Sequence, residues 1–320
     1  MLDRARLPAD IALAAHRIQD LVRLTPLEES PYYSEATKTR VLLKQENLQL
    51  TSSFKIRGAT NKLKCLPEEA LGRGCVAASS GNHGAAVAHA LRRLNARGVV
   101  FVPEGTSETK VSAIEREGAE VRVFGSDGLD TETEARRFSG EAGMPYLSPY
   151  NDPDVIAGQG SVGVEIARQC PEVDAVFIAV GGGGLIGGVG AFLKSVRPDI
   201  RIVSCQPEAS AVMTESIRAG HLLDLPSDPT LSDGTAGGIE ADSLTFELCR
   251  DVIDDFVIVD EEAIADAMRT YIDAHHQLIE GAAGVAIAGL LAKASDYRDA
   301  TCVVVVCGGN VSRKTLRQVI

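Results

Sequence analysis

The chain has 320 residues, enough for one large domain or two modest ones, each with its own core. Its 44 acidic and 32 basic residues give a formal charge of -12 with no long basic run, which argues against nucleic acid or an anionic membrane surface as a partner. Aromatic residues are only 4% of the chain and tryptophan is absent, so a base-stacking platform is not expected either.

The opening segment MLDRARLPADIALAAHRI is amphipathic and carries Asp3 and Asp10, so it does not read as a secretory signal. Candidate strands follow at Val41–Lys44, Cys75–Ala78, Val99–Val102, Glu120–Phe124, Ala175–Val180, Arg201–Cys205, Phe256–Val259 and Cys302–Val306. Between most of them lie segments of helical length: Asn82–Leu94, Lys110–Glu117, Gly128–Ala142, Val155–Arg168, Leu185–Val196 and Glu261–His275. This alternation predicts an α/β fold of two open, mostly parallel sheets covered on both faces, with a cofactor in the cleft between them. The segment from Met144 to Pro153 holds three prolines and is the expected crossing point. A small inserted α/β domain is therefore placed at 48–147, and a large domain at 1–47 and 148–320. Asp174 to Lys194 is the longest uncharged apolar stretch, but four successive glycines break it into strand, turn and helix, so no membrane span is expected. The seven cysteines are odd in number and lack CxxC spacing, which fits a reducing, cytoplasmic setting.

Four motifs carry chemistry. The run Gly181, Gly182, Gly183, Gly184 and Leu185 follows an apolar strand and opens a helix, so converging N–H groups and the helix dipole can cradle a phosphate. A dinucleotide fingerprint can be laid over Gly182, Gly184 and Gly187, which keeps a nicotinamide-dependent dehydrogenase as an alternative. The strand that should then carry a ribose-binding acid ends Cys205-Gln206-Pro207 instead. Glycines that only let strand and helix pack closely are a third reading.

Lys55, in Ser53-Phe54-Lys55-Ile56-Arg57-Gly58, stands at a helix start, where the dipole disfavours a cation. A Schiff base removes that conflict, whereas a solvated surface lysine is the ordinary alternative. Ser79-Ser80-Gly81-Asn82-His83-Gly84 ends a strand and opens a helix; its hydroxyls, amide and N–H groups suit a carboxylate, with plain capping by Ser80 or Asn82 as the rival. His83 as a general base is the weaker reading of a lone histidine. Cys307 ends the last strand, where ligands bind in open α/β sheets, and reads as a ligand-facing or a buried, inert thiol.

Taken together and in order, these motifs resemble the fold type II pyridoxal-phosphate enzymes, within them the threonine/serine dehydratase (ammonia-lyase) and serine racemase branch. The similarity runs from Thr25-Pro26-Leu27 through Leu43 to Gln49, the lysine motif, Ser79 to Gly84, Ala157-Gly158-Gln159-Gly160 and the glycine loop to Cys307-Gly308-Gly309-Asn310. The resemblance implies pyridoxal 5′-phosphate as cofactor, joined to Lys55 as an imine, with Phe54 beside its ring and Asn82 on its phenolic oxygen. It implies that Gly181 to Leu185 hold the phosphate, that Cys307 faces the ring nitrogen, and that Glu280 and Gly234 line the ring. The substrate carboxylate is then expected on Ser79, Ser80, Asn82 and His83.

A neutral thiol at the ring nitrogen would not stabilise a protonated pyridinium, which favours expulsion of a β-leaving group over transamination. The implied activity is loss of water from a small threonine- or serine-like amino acid, yielding a 2-oxo acid and ammonia, with Lys55 taking the Cα proton. Ser80, on the opposite face in racemase-like members, keeps amino-acid racemisation as an alternative. The segment Leu231 to Glu240 is similar to dehydratases of hydroxyectoine breakdown, which would act on hydroxylated diamino acids. Gln206 and Val212 stand where cation-binding relatives carry carboxylates, so no metal is expected there. Only 311–320 follow Asn310, so no regulatory domain is expected, and a homodimer is the family expectation.

Overall fold

The computed structural model describes residues 2–320, and among these nine strands form. They are β1 (Leu27–Glu29), β2 (Arg40–Gln45), β3 (Cys75–Ala78), β4 (Gly98–Val102), β5 (Glu120–Val123), β6 (Ala175–Ala179), β7 (Arg201–Pro207), β8 (Asp255–Val259) and β9 (Thr301–Val306). A six-stranded sheet runs β1-β2-β9-β6-β7-β8, and a three-stranded sheet runs β3-β4-β5. Every pairing is parallel except that of β1 with β2. The expected two-sheet α/β architecture is thus present.

The apolar runs explain which strands are central. All of β6, and β9 from Cys302 onward, are buried, as strands covered by helices on both faces must be. β1 is the one strand without a sequence expectation. It has three residues, Leu-Glu-Glu, too short for an alternating pattern, and its two acids suit a solvated edge. The helix Gly281–Lys293 also escaped the periodicity reading: its sequence GAAGVAIAGLLAK is apolar nearly all round, because its first ten residues are buried against the large sheet. Where periodicity and caps are clear, the bounds agree closely. Asp127 caps the helix Gly128–Ala142 through the N–H groups of Leu129 and Asp130, and Gly143 ends it at φ 62°.

The proline-rich segment joins the two layers. Val76 N–H donates to Pro145 O at 2.9 Å and Leu147 N–H to Val76 O at 2.8 Å, so this segment extends the small sheet beside β3. It then enters the helix Pro153–Gln169, capped by Asp152. The helix Lys55–Cys65 is wedged between the same layers. Ile56, Ala59 and Leu63 pack with Val87, Leu91 and Leu147 on the small-sheet side. On the other side Gly58 backs onto Gly158, where a Cβ would stand 2.6 Å from Gly58 Cα. Among the described residues no helix is long and apolar enough to cross a membrane.

A buried ionic group fixes the first turn of that wedged helix. Arg57 donates from Nε to Glu46 Oε2 at 2.7 Å and from Nη1 to Glu165 Oε1 at 2.6 Å; Lys44 Nζ donates to Glu165 Oε2 at 2.5 Å. Arg57, Lys44 and Glu46 are wholly buried.

Candidate active site

Lys55 opens its helix directly after Phe54, whose N–H donates to Cys307 O at 3.1 Å. Ser53 pairs with Gly308 and Gly309 N–H donates to Ser52 O, so the lysine motif lies along the end of β9. The Lys55 amine donates to Pro149 O at 3.0 Å and sits 5.2 Å from the centre of the Phe54 ring. Burial pushes its pKa down to about 8, against the opposing pull of Cys307 and Glu280. The amine can therefore shed and take up a proton near neutral pH.

Glu280, just before the helix Gly281–Lys293, gathers the other side of the site. Both its oxygens accept from Asn82 Nδ2 at 2.9 Å, and Oε2 accepts from Asn310 N–H at 3.3 Å. Asn310 Nδ2 in turn donates to Asn82 Oδ1 at 2.7 Å. Cys307 Sγ is 3.9 Å from Glu280 Oε1. Burial raises Glu280 to about 7, which the Asn82 hydrogen bond only partly offsets. Burial, and then the charge on Glu280, hold the Cys307 thiol well above its ordinary value, so it stays protonated. Gly308 lies close beside them: a Cβ there would stand 2.4 Å from Glu280 Oε1 and push that carboxylate aside. Gly234 is brought to the same place, its Cβ position 3.8 Å from Glu280 Oε1.

The glycine run leaves β6 and turns at Gly183, φ +84°, into the helix Gly184–Val196. No side chain could occupy it: a Cβ on Gly182 would stand 2.4 Å from the Tyr150 ring, and one on Gly183 2.7 Å from Cys249 Sγ. The carbonyl of Gly182 is tied back by Thr245 Oγ1 at 2.6 Å. The N–H groups of a helix's first turn have no intrahelical acceptor, and here they remain for an anion.

A second such end opens the helix Asn82–Arg93. Its first residue follows Gly81 with no side-chain cap, so neither Ser80 nor Asn82 serves as the cap considered from sequence. Asn82 points to Glu280 instead, and Ser79 Oγ accepts from Gly81 N–H at 3.1 Å. Gly84 is needed because a Cβ there would stand 2.1 Å from Ser79 O. The His83 ring is buried and donates from Nε2 to Leu147 O at 2.8 Å. Burial, followed by the nearby Lys55 charge, pushes it down to about 3. A ring so held is neutral and turned inward; what His83 leaves toward an anion is its backbone N–H.

These contacts bring Lys55, Asn82, His83, Gly234, Glu280 and Cys307 together, and Pro149, which accepts from Lys55, adjoins the Tyr150 that lies against Gly182. Tyr150, Thr235, Thr245 and Asn310 had no assigned role, although Tyr150 stands in the proline-rich crossing segment and Asn310 ends the last motif. Gln206 is fully engaged elsewhere: Nε2 donates to Val180 O and Ser210 O, and Oε1 accepts from the N–H and hydroxyl of Thr214.

Residues 18–308 match the family described as pyridoxal-phosphate dependent enzyme. The chain belongs to that family. The L-threonine ammonia-lyase of Thermotoga maritima is 38% identical over 311 residues, 97% of this chain and 77% of that protein. The solved structure of the processed form of threonine deaminase isoform 2 from Solanum lycopersicum superposes with a TM-score of 0.94 at 34% identity, covering 99% of this chain and 92% of that one. Maize serine racemase superposes with a TM-score of 0.91 at 31% identity, covering 97% and 95%. The cofactor of this pyridoxal-phosphate enzyme is thereby known, and the residues present fit it: a desolvated amine, a glycine cradle no Cβ could enter, and a buried thiol and carboxyl pair. The family match leaves the nicotinamide alternative without support.

Proposed function

We propose that this chain is an ammonia-lyase that removes water from a small β-hydroxy amino acid such as threonine or serine, releasing a 2-oxo acid and ammonia. The observation that carries the reading is the buried amine of Lys55, its pKa lowered, together with two helix starts, at Gly184 and Asn82, that no side chain caps. One suits the cofactor's phosphate and the other an amino acid's carboxylate. Bound pyridoxal phosphate would supply the electron sink for the pair left at Cα. Lys55 would hold that group, and its Nζ is the base that would take the Cα proton. Phe54 would pack beside the cofactor, and Asn82 would hold its phenolic oxygen. Gly181, Gly182, Gly183, Gly184 and Leu185 would bind the phosphate, while Gly234, Glu280 and Cys307 would line the ring. Cys307 keeps its own proton at Sγ, which disfavours transamination. Ser79, Ser80, Asn82 and the N–H of His83 bind the substrate carboxylate. The names of the threonine ammonia-lyase and threonine deaminase relatives support this reading.

Racemisation is the second reading. It is favoured by the similarity to maize serine racemase and by Ser80, whose half-buried hydroxyl makes no hydrogen bond among the described residues. We further propose a small domain at 48–147 inserted in a large one, and a cytoplasmic homodimer. The seven free cysteines support the compartment, and the family resemblance supports the dimer. The test is to incubate the purified, cofactor-loaded protein with L-threonine, L-serine and hydroxylated diamino acids, and to measure 2-oxo acid, ammonia and enantiomer ratio. Equal amounts of oxo acid and ammonia are expected from threonine or serine. Enantiomer exchange without oxo acid would replace the lyase by the racemase.

A further inference from the structure

We infer that Glu240 is a positioning residue for the cofactor: it clasps Arg136, Asn151 and Tyr150 so that the Tyr150 ring stays closed over Gly182. The inference rests on the reading of the glycine loop as the phosphate site.

Three contacts converge on Glu240. Its N–H donates to the Tyr150 hydroxyl at 2.9 Å. Its Oε2 accepts from Asn151 Nδ2 at 2.9 Å and from Arg136 Nη2 at 3.0 Å. The three partners come from different places. Tyr150 and Asn151 belong to the proline-rich segment between the sheets, whereas Arg136 lies on the helix Gly128–Ala142. That helix packs on the small sheet, with Ala135 among Val76, Val99 and Phe101. Glu240 itself ends the segment Leu231 to Glu240 of the large-sheet layer. One carboxylate therefore ties the small layer to the loop that faces the cleft.

The clasp reaches Gly182 from two sides. Above it lies the Tyr150 ring, which a Cβ on Gly182 would meet at 2.4 Å. Below it, Asn151 Oδ1 accepts from Leu244 N–H at 2.8 Å at the start of the helix Leu244–Val252, and Thr245 of that helix donates to Gly182 O at 2.6 Å. A ring fixed there excludes water from N–H groups that would face an anion, and a lower local dielectric strengthens their grip. Arg136 does not depend on Glu240 alone. It also pairs with Glu132 at 2.7 Å and lies 4.3 Å from the Tyr146 ring centre, so loss of Glu240 orphans no buried cation.

The experiment uses Glu240→Ala, Glu240→Gln, Arg136→Met, the Glu240→Ala/Arg136→Met double variant and Tyr150→Phe. Each apoprotein is titrated with pyridoxal phosphate and, separately, with pyridoxal, reading the visible absorbance, and its melting temperature is recorded. Glu240→Ala and Tyr150→Phe should weaken pyridoxal phosphate about five- to tenfold, the loss of one hydrogen-bonded contact to a charged or buried group. Glu240→Gln, which still accepts from Asn151, should recover part of that. The double variant should be no worse than Glu240→Ala within about twofold, because both residues act through one linkage. Pyridoxal, which lacks the phosphate, should be nearly unaffected. Unchanged pyridoxal phosphate affinity in Glu240→Ala, or equal losses for both compounds, would overturn the clasp. A wild-type protein that binds pyridoxal as tightly as pyridoxal phosphate would instead overturn the underlying phosphate-site reading.

Discussion

Two polar groups lie within a few residues of Lys55 and are built on opposite principles. Behind its helix, Arg57 pairs with Glu46 and Glu165, and Lys44 pairs with Glu165, two cations against two carboxylates. Burial alone would raise Glu46, but Arg57 more than offsets it and the carboxylate lies below its ordinary range. In front, Glu280 is nearly as buried, yet its hydrogen-bond donors are the neutral groups Asn82, Asn310 and Cys307. With no paired cation it rises to about 7. In the matched group Arg57 is held charged and Glu46 ionised, and the group serves as scaffold. The unmatched one keeps a proton that can come and go where the chemistry is. Between the two glutamates, matching more than burial separates the roles.

Breaking the matched group should have the largest effect. Arg57→Met leaves Glu46 and Glu165 short of a partner and should cost about 3–5 kcal/mol of stability, as removal of one side of a buried pair does. Urea unfolding checks this; a loss below about 1 kcal/mol would mean that the group relaxes toward solvent, as an exposed pair does.

Breaking the unmatched group should act more weakly and with the opposite sign. Because Glu280 has its pKa raised from 4.5 to about 7, the folded apoprotein holds a proton there that the unfolded chain has already released between those values. Its contribution is thus complete below pH 4.5 and lost as pH rises through about 7. Glu280→Gln should remove this downward slope and leave the apoprotein more stable than wild type at pH 8. Denaturation curves at several pH values test it, and an unaltered slope would place the titration elsewhere.

The scaffold was more legible in the sequence than the contacts across the cleft. Strands such as Cys302–Val306 show as continuous β-branched runs, and the helix Gly128–Ala142 is marked at both ends by Asp127 and Gly143. Lys55 and the glycine run stand out because local rules disfavour them, a cation at a helix start and four residues without side chains. The pairing of Asn82 with Glu280 spans 198 positions and that of Glu240 with Tyr150 spans 90, and no local pattern encodes such a distance. Glu280 acquired a role only through resemblance to a family, as did the particular cofactor contacts of Asn82 and Cys307. Tyr150 and Glu240 lie in segments the sequence singled out, but their contact emerged only when the chain was folded.

The central claim is that Lys55 is the one amine that carries the cofactor. It is tested most directly by reducing the pyridoxal-phosphate-loaded protein with borohydride and mapping the modified peptide by mass spectrometry, with Lys55→Ala treated in parallel. The account predicts a visible absorbance band that disappears on reduction, with the cofactor's mass on the peptide containing Lys55 and no stable adduct in the variant. A band and an adduct that persist in Lys55→Ala, or a cofactor mass on another lysine, would contradict it.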